Sequence, residues 1–268
     1  GVVSNNLQLI PSSSMVSRFK DSLARQLRLP TQGFMGWITT QVLKSKNGVL
    51  EKNAVRLSDI QPHHNVLEVG FGPGIGLQHA AKSVKDGPGK ICGVEISTYM
   101  LEKASSRLRR PIRNMKMELT FASVENLPFG TDRFDRVYHC NTYFFWPSMQ
   151  DGLKEIYRVM KPGAFMVTTL NIDSIKVAQS RGLLKYGNPD PVNYMCALEL
   201  TGFKDVKMEY YREGNQSYQA IFAYLPVKPA LPVDELEEED MQAAARDTYD
   251  ASSVPNSDLP PKMNPSKS

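Results

Sequence analysis

Apolar positions recur at two spacings along this chain, and the two alternate in a regular order. Short runs rich in Val, Ile, Leu and Phe occupy about residues 65–70, 90–96, 116–122, 134–140 and 163–170, each the length of a buried strand. Segments at about 75–84, 97–109, 148–160 and 190–201 repeat their apolar residues at helical spacing. Strands alternating with helices predict a parallel sheet covered on both faces. Two late strand-like runs, Lys204 to Tyr211 and Ser217 to Leu225, flank Glu213-Gly214-Asn215. So short a link joins only antiparallel neighbours, which makes the last strand the reversed one. Upstream, Phe19, Leu23 and Leu27 precede Pro30, Trp37, Ile38, Val42 and Leu43 follow Gln32-Gly33, and Asn53 to Ile60 forms a third piece. Residues 18–60 therefore read as a helical cover, after a loose Ser/Asn-rich stretch at 1–17.

The first predicted strand ends in Val66-Leu67-Glu68-Val69-Gly70-Phe71-Gly72-Pro73-Gly74-Ile75-Gly76. Glycines at every second position let the backbone approach a ligand and adopt positive φ. The helix that follows presents free N–H groups and the positive end of its dipole, which suits a nucleoside carrying an anionic group. A dinucleotide site expects G-x-G-x-x-G. Counted from Gly70 the sixth position is Ile75, and from Gly72 it is Leu77, so neither frame fits. The second strand closes on Glu95-Ile96, 27 residues after Glu68. A carboxylate there can accept from both hydroxyls of a ribose.

The E-x-G-x-G-x-G pattern from Glu68 to Gly74 resembles motif I of the class I S-adenosylmethionine-dependent methyltransferases. Three further segments resemble the family in order: Phe121-Ala122-Ser123-Val124-Glu125-Asn126-Leu127-Pro128-Phe129, Phe134-Asp135-Arg136-Val137, and Glu155-Ile156-Tyr157-Arg158-Val159-Met160-Lys161-Pro162-Gly163. The resemblance covers about residues 60–225 and is nearest the ubiquinone/menaquinone C-methyltransferase group. It implies a Rossmann-like α/β fold with a mostly parallel seven-stranded sheet and a reversed last strand. It implies S-adenosyl-L-methionine as cofactor, with Glu68, Gly70, Phe71, Gly72, Gly74, Glu95, Ile96, Ser123, Val124 and Asn141 as its binding residues. Ser123 departs from the family's usual aspartate, and a hydroxyl accepts more weakly than a carboxylate. Tyr143, Phe145 and Trp146 could wall the reacting centre or simply pack. Tyr143 and His139 are the candidates for a general base, with a satisfied core histidine the competing reading for His139.

Charge is uneven. Four basic against nine acidic residues give the Pro-rich segment 226–268 a net −5, so residues 1–225 carry +9 of the total +4. The acidic segment cannot bury enough apolar surface to order itself and reads as a disordered tail, with a possible partner of its own. The domain expected between them spans 61–225. The positive body fits a solvated surface or an anionic partner. Cys92, Cys140 and Cys196 lack metal-ligand or disulfide spacing, which points to a reduced, cytoplasmic setting without a metal. No apolar run reaches the roughly 20 residues of a membrane span. The expected function is methyl transfer to a small-molecule acceptor. The alternatives are an inactive binding protein on the same fold, which Ser123 would suit, and a nucleic-acid methyltransferase, which the positive body would suit.

Overall fold

The computed structural model describes Asp21, Arg25, residues 47–184 and residues 188–227. The expected loose start at 1–17, most of the helical cover and the acidic tail from 228 onward lie outside the described residues.

Five strands follow the predicted apolar runs: β1 (Asn65–Val69), β2 (Lys90–Glu95), β3 (Met117–Phe121), β4 (Phe134–Cys140) and β5 (Met160–Leu170). The hairpin β6 (Lys204–Glu213) and β7 (Gln216–Tyr224) completes one seven-stranded sheet in the order β3-β2-β1-β4-β5-β7-β6. Strands β1 to β5 are parallel, and β7 pairs antiparallel with both β5 and β6. The two-residue link at Gly214-Asn215 allows no other direction for β7.

Among the described residues the helices are α1 (47–57), α2 (Ile75–Ser83), α3 (Thr98–Arg107), α4 (Arg109–Arg113), α5 (Met149–Val159), α6 (Ile172–Ser180) and α7 (Pro191–Thr201), with a 3-10 turn at Tyr143–Phe145. Alternation along each strand sends side chains to opposite faces. Leu67 and Val69 of β1 join Val137, Met166 and Ile221 beneath α5, α6 and α7. Val66 joins Ile91, Tyr138 and Val167 beneath α1, α2 and α3. Four helices begin at a side-chain cap: Ser97, Ser148, Asn171 and Asp190 each accept from a backbone N–H of the first turn.

Three details differ from the sequence expectation. The helix expected at 97–109 breaks after Arg107, where Leu108 leaves helical geometry before the short α4. Strand β5 begins at Met160, before the Pro162-Gly163 pair, and its register against β4 shifts between Phe134 and Arg136 to absorb the pair. Helix α6 was not anticipated, because only Ile175 of its nine residues is buried and the apolar repeat is faint. On the outer edge, β6 slips register between Lys204 and Lys207, at Asp205 with φ 50°.

Ile156 of α5 is wholly enclosed between helix and sheet, whereas Leu200 of α7 is 80% exposed. Ile156→Ala is expected to lower the unfolding free energy by about 2–5 kcal/mol in urea titration. Leu200→Ala should stay within about 0.5 kcal/mol of the unaltered protein, and equal losses in the two variants would remove this burial assignment.

Candidate active site

The carboxyl ends of β3, β2, β1 and β4 lie side by side and open into one cleft, with about 860 Å³ of empty space that includes its open mouth. Three inter-strand steps of roughly 4.8 Å make a trough about 14 Å long. The cleft spans the switch point between β1 and β4, where chain direction through the sheet reverses.

Its floor is the loop from Gly70 to Gly74. The Gly70 N–H donates to the Val94 carbonyl at 2.8 Å, tying the loop to β2. Gly70 has φ 68°, and a Cβ there would meet Thr142 Cγ2 at 2.8 Å, so only glycine fits between the loop and the end of β4. Gly72 has φ 50°, and a Cβ there would meet nothing within 4 Å. It lines the cleft, so any side chain would project into the ligand space. Phe71 points the other way, into the core beside Gly93, and anchors the loop. Gly74 packs on Ala104 and Leu108 as the first cap of α2. Neither Phe71 nor Gly74 lines the cleft.

Glu95 fastens the loop from the neighbouring strand. Its Oε2 accepts from the Gly72 N–H, and its Oε1 accepts from those of Ile96 and Ser97, all at 2.9 Å. Burial raises its pKa above the ordinary value, and the three N–H donors oppose that shift. The side chain is 8% exposed and lines the cleft. Glu68 lies under the loop, outside the cleft lining. It accepts from the Tyr138 hydroxyl at 2.8 Å, and Gly76 leaves room for it, since a Cβ there would stand 2.5 Å from its Oε1. Burial first, and then the nearby Glu51, push its pKa well above the carboxylate range.

Ser123 and Val124 line the cleft after β3, and Ile96, 43% exposed, lines it after β2. Gly152 on α5 lets Trp146 and Val124 close together, since a Cβ there would stand 3.0 and 3.1 Å from them. Asn141 lines the far end with φ 50° and donates from Nδ2 to Asn47 Oδ1 at 3.2 Å. Phe145 and Trp146 line that end as well.

The two anticipated general bases lie beneath this end, outside the cleft lining. His139 is fully buried, with Nε2 at 2.8 Å from the Tyr194 hydroxyl and 2.9 Å from Thr168 Oγ1, and Nδ1 at 3.0 Å from Thr142 Oγ1. Burial lowers its pKa to about 3, so the ring is neutral at physiological pH. The Tyr143 hydroxyl donates to the Pro189 carbonyl at 2.6 Å, and its ring stacks on Tyr194 with centroids 4.2 Å apart. Burial raises its pKa, so it holds its proton.

Sequence reasoning did not single out Asn47, Glu51 or Thr142, all of which line the cleft. The signal for Glu51 was present: it stands three and four residues before the buried Ala54 and Val55, on the inward stripe of α1. Glu51 is 5% exposed, and burial raises its pKa to about 8, against the charge of Arg107 and the Gly76 N–H. Among the described residues no group of three His, Cys, Asp or Glu side chains could hold a metal ion. No described helix is long and apolar enough to cross a membrane.

The folded state therefore holds a proton on Glu51 that the unfolded chain, at the ordinary value of 4.5, gives up. Stability from this group is complete below that ordinary value and is lost as pH rises toward the folded one. Glu51→Gln removes the titration, so its stability gain in urea unfolding is expected to be larger at about pH 8 than at about pH 5. A gain that is the same at both would show that Glu51 is ionised in the fold.

Residues 66–163 match the family described as Methyltransferase domain. The methyltransferase YdaC of Bacillus subtilis is 26% identical over 173 residues, which cover 65% of this chain and 90% of that one. The rice chloroplastic 2-methyl-6-phytyl-1,4-hydroquinone methyltransferase 2 is 29% identical over 158 residues, 58% of this chain but only 43% of that protein. The fold is also that of Haemonchus contortus phosphoethanolamine N-methyltransferase 2, solved with phosphomonomethylethanolamine and S-adenosylhomocysteine, at a TM-score of 0.57 and 16% identity over 78% of this chain and 60% of that one. The matched domain forms the centre of the sheet and the wall of the cleft, and together with these relatives it supports a class I S-adenosylmethionine-dependent methyltransferase with S-adenosylmethionine as cofactor.

Proposed function

We propose that the cleft holds the cofactor lengthwise, adenosine over β2 and β3 and amino acid over β1 and β4, and that the acceptor is a small, fairly apolar molecule. The observation that carries this reading is the Glu95 carboxylate beside the open face of Gly72. The fit is supported by that cradle, which a Cβ at Gly72 would fill, and by an acceptor group at the end of β2. Each Glu95 oxygen keeps lone-pair capacity beyond its backbone bonds, so the carboxylate can accept from two ribose hydroxyls. Ile96 and Val124 form apolar walls for a purine, and Ser123 offers a hydroxyl to its amino group. Gly70, Gly72 and Asn141 bring backbone close to the amino-acid portion. Glu68, Phe71 and Gly74 serve by holding the loop in shape beneath it.

A bound sulfonium supplies the methyl group and leaves as a neutral thioether. The residues of this chain align the acceptor and exclude water, and such positioning is worth about 7–11 kcal/mol. Phe145 and Trp146 present aromatic surface at the β4 end, and such faces attract cations. Neutral His139 and protonated Tyr143 brace this wall from below without reaching the acceptor. The apolar and aromatic lining suits a flat, apolar acceptor such as a hydroquinone ring; with no histidine or tyrosine in the lining among the described residues, the proton that such a ring loses on methylation would pass to water at the cleft mouth. The phytyl-hydroquinone acceptor named for the rice relative is of that class, and so is the quinol chemistry of the ubiquinone/menaquinone group.

Glu95→Ala is expected to weaken S-adenosylhomocysteine binding about 10–100-fold by calorimetry, the equivalent of about 1.5–3 kcal/mol for lost hydrogen bonds to a charged group. Gly72→Val should abolish binding while leaving the far-ultraviolet spectrum unchanged. Full affinity in both variants would refute the cleft assignment. Turnover of S-adenosylmethionine should rise with a hydroquinone bearing an isoprenoid tail, and turnover with RNA alone would assign a different acceptor class.

A further inference from the structure

Two buried side-chain oxygens in the wall of the cleft have no hydrogen-bond partner among the described residues: Oε2 of Glu51 and Oδ1 of Asn141. Both belong to residues that line the β4 end, opposite Glu95. An acceptor closed off from water and left unpaired costs about 1–3 kcal/mol, so two at one end of a ligand cleft call for explanation. Neither is free to turn to another partner. Asn141 already spends Nδ2 on Asn47, and its backbone N–H is held by the Thr169 carbonyl at 3.1 Å. Glu51 sits on the inward stripe of α1 between buried Leu50 and Ala54, with the Gly76 N–H as its partner from α2.

Resting on the cofactor reading above, we infer that Glu51 and Asn141 form the subsite for the α-ammonium group of the cofactor's amino-acid portion, with Glu51 as its counter-ion. An ammonium has three N–H donors and no acceptor, which matches two orphaned oxygens in a site without a basic lining residue among those described. A carboxylate buried without a cation is held protonated, and a cation delivered beside it favours the ionised form. The groups facing Glu51 are Glu68 on β1, Tyr138 and Cys140 on β4, and Arg107 on α3. Of these only Arg107 is positive, and its Nε is already taken by the Pro73 carbonyl at 3.0 Å. The ligand's ammonium therefore supplies the charge that the fold leaves out.

Glu51→Gln keeps the shape of the protonated acid and is the variant of choice. Calorimetry on the full chain should show S-adenosylmethionine and S-adenosylhomocysteine both binding at least about tenfold more weakly, the loss expected for a hydrogen-bonded charge pair. Binding of 5′-methylthioadenosine, which lacks the amino-acid portion, should be unchanged. Near pH 7 the unaltered protein should release about one proton on binding S-adenosylhomocysteine, read from two buffers of different ionisation heat, and the variant none. Unchanged affinity for S-adenosylhomocysteine overturns the inference, as does equal weakening of 5′-methylthioadenosine. Weakening confined to S-adenosylmethionine would move Glu51 to the sulfonium and overturn it too. If Glu95→Ala loses affinity while Glu51→Gln does not, the cleft assignment stands and only the ammonium subsite falls. If the unaltered protein binds no S-adenosylhomocysteine, both fall.

Discussion

One buried carboxylate holds the working end of this molecule together. Glu95 accepts from backbone N–H groups on both sides of the β1–β2 boundary, so the glycine loop and the entry to α3 cannot move independently. Three of the five residues of the loop are glycines, and Phe71 in the core and Pro73 are its side chains. A backbone of high conformational entropy is thus held by this carboxylate together with the Gly70–Val94 bond and the Phe71 anchor. The same side chain faces the ligand space, so the group that shapes the cleft also reads what enters it.

Beneath the β4 end, rigidity has a different source. His139, Thr168 and Tyr194 satisfy one another in a buried network that Thr142 joins from the cleft side, and Tyr143 stacks against Tyr194. Such networks specify one arrangement when every member is paired. Thr142 is the link outward: one side of it pairs with His139, and its methyl group lies where a Cβ at Gly70 would go. The position of the loop is therefore keyed to a polar core one layer down.

The sheet, its reversed last strand and the glycine loop were legible because they depend on local signals: apolar runs of strand length, a link too short for a crossover, and glycine spacing. Roles that depend on depth were not legible. His139 stands in an apolar strand, and nothing in its neighbours along the chain shows whether it faces the cleft or the core. Tyr143 and Trp146 are three residues apart, yet only the second lines the cleft. Glu68 and Glu95 both stand at or near the ends of neighbouring strands, and tertiary packing alone separates the acid beneath the loop from the one that lines the cleft. Helix α6 escaped notice because its single buried position leaves no periodic trace. Glu51 lay in plain sight on a helical stripe, but outside every motif that drew attention.

The slipped register of β6 carries a consequence for life in a crowded solution. That strand is the last in the sheet, and its outer side has no neighbour within the fold among the described residues. A long, flat, apolar margin of this kind would template growth by another chain. Here the break between Lys204 and Lys207, the left-handed Asp205 and the charges of Lys207, Glu209 and Arg212 interrupt the ladder an incoming strand would need. The irregularity makes this margin a poor template for an added strand.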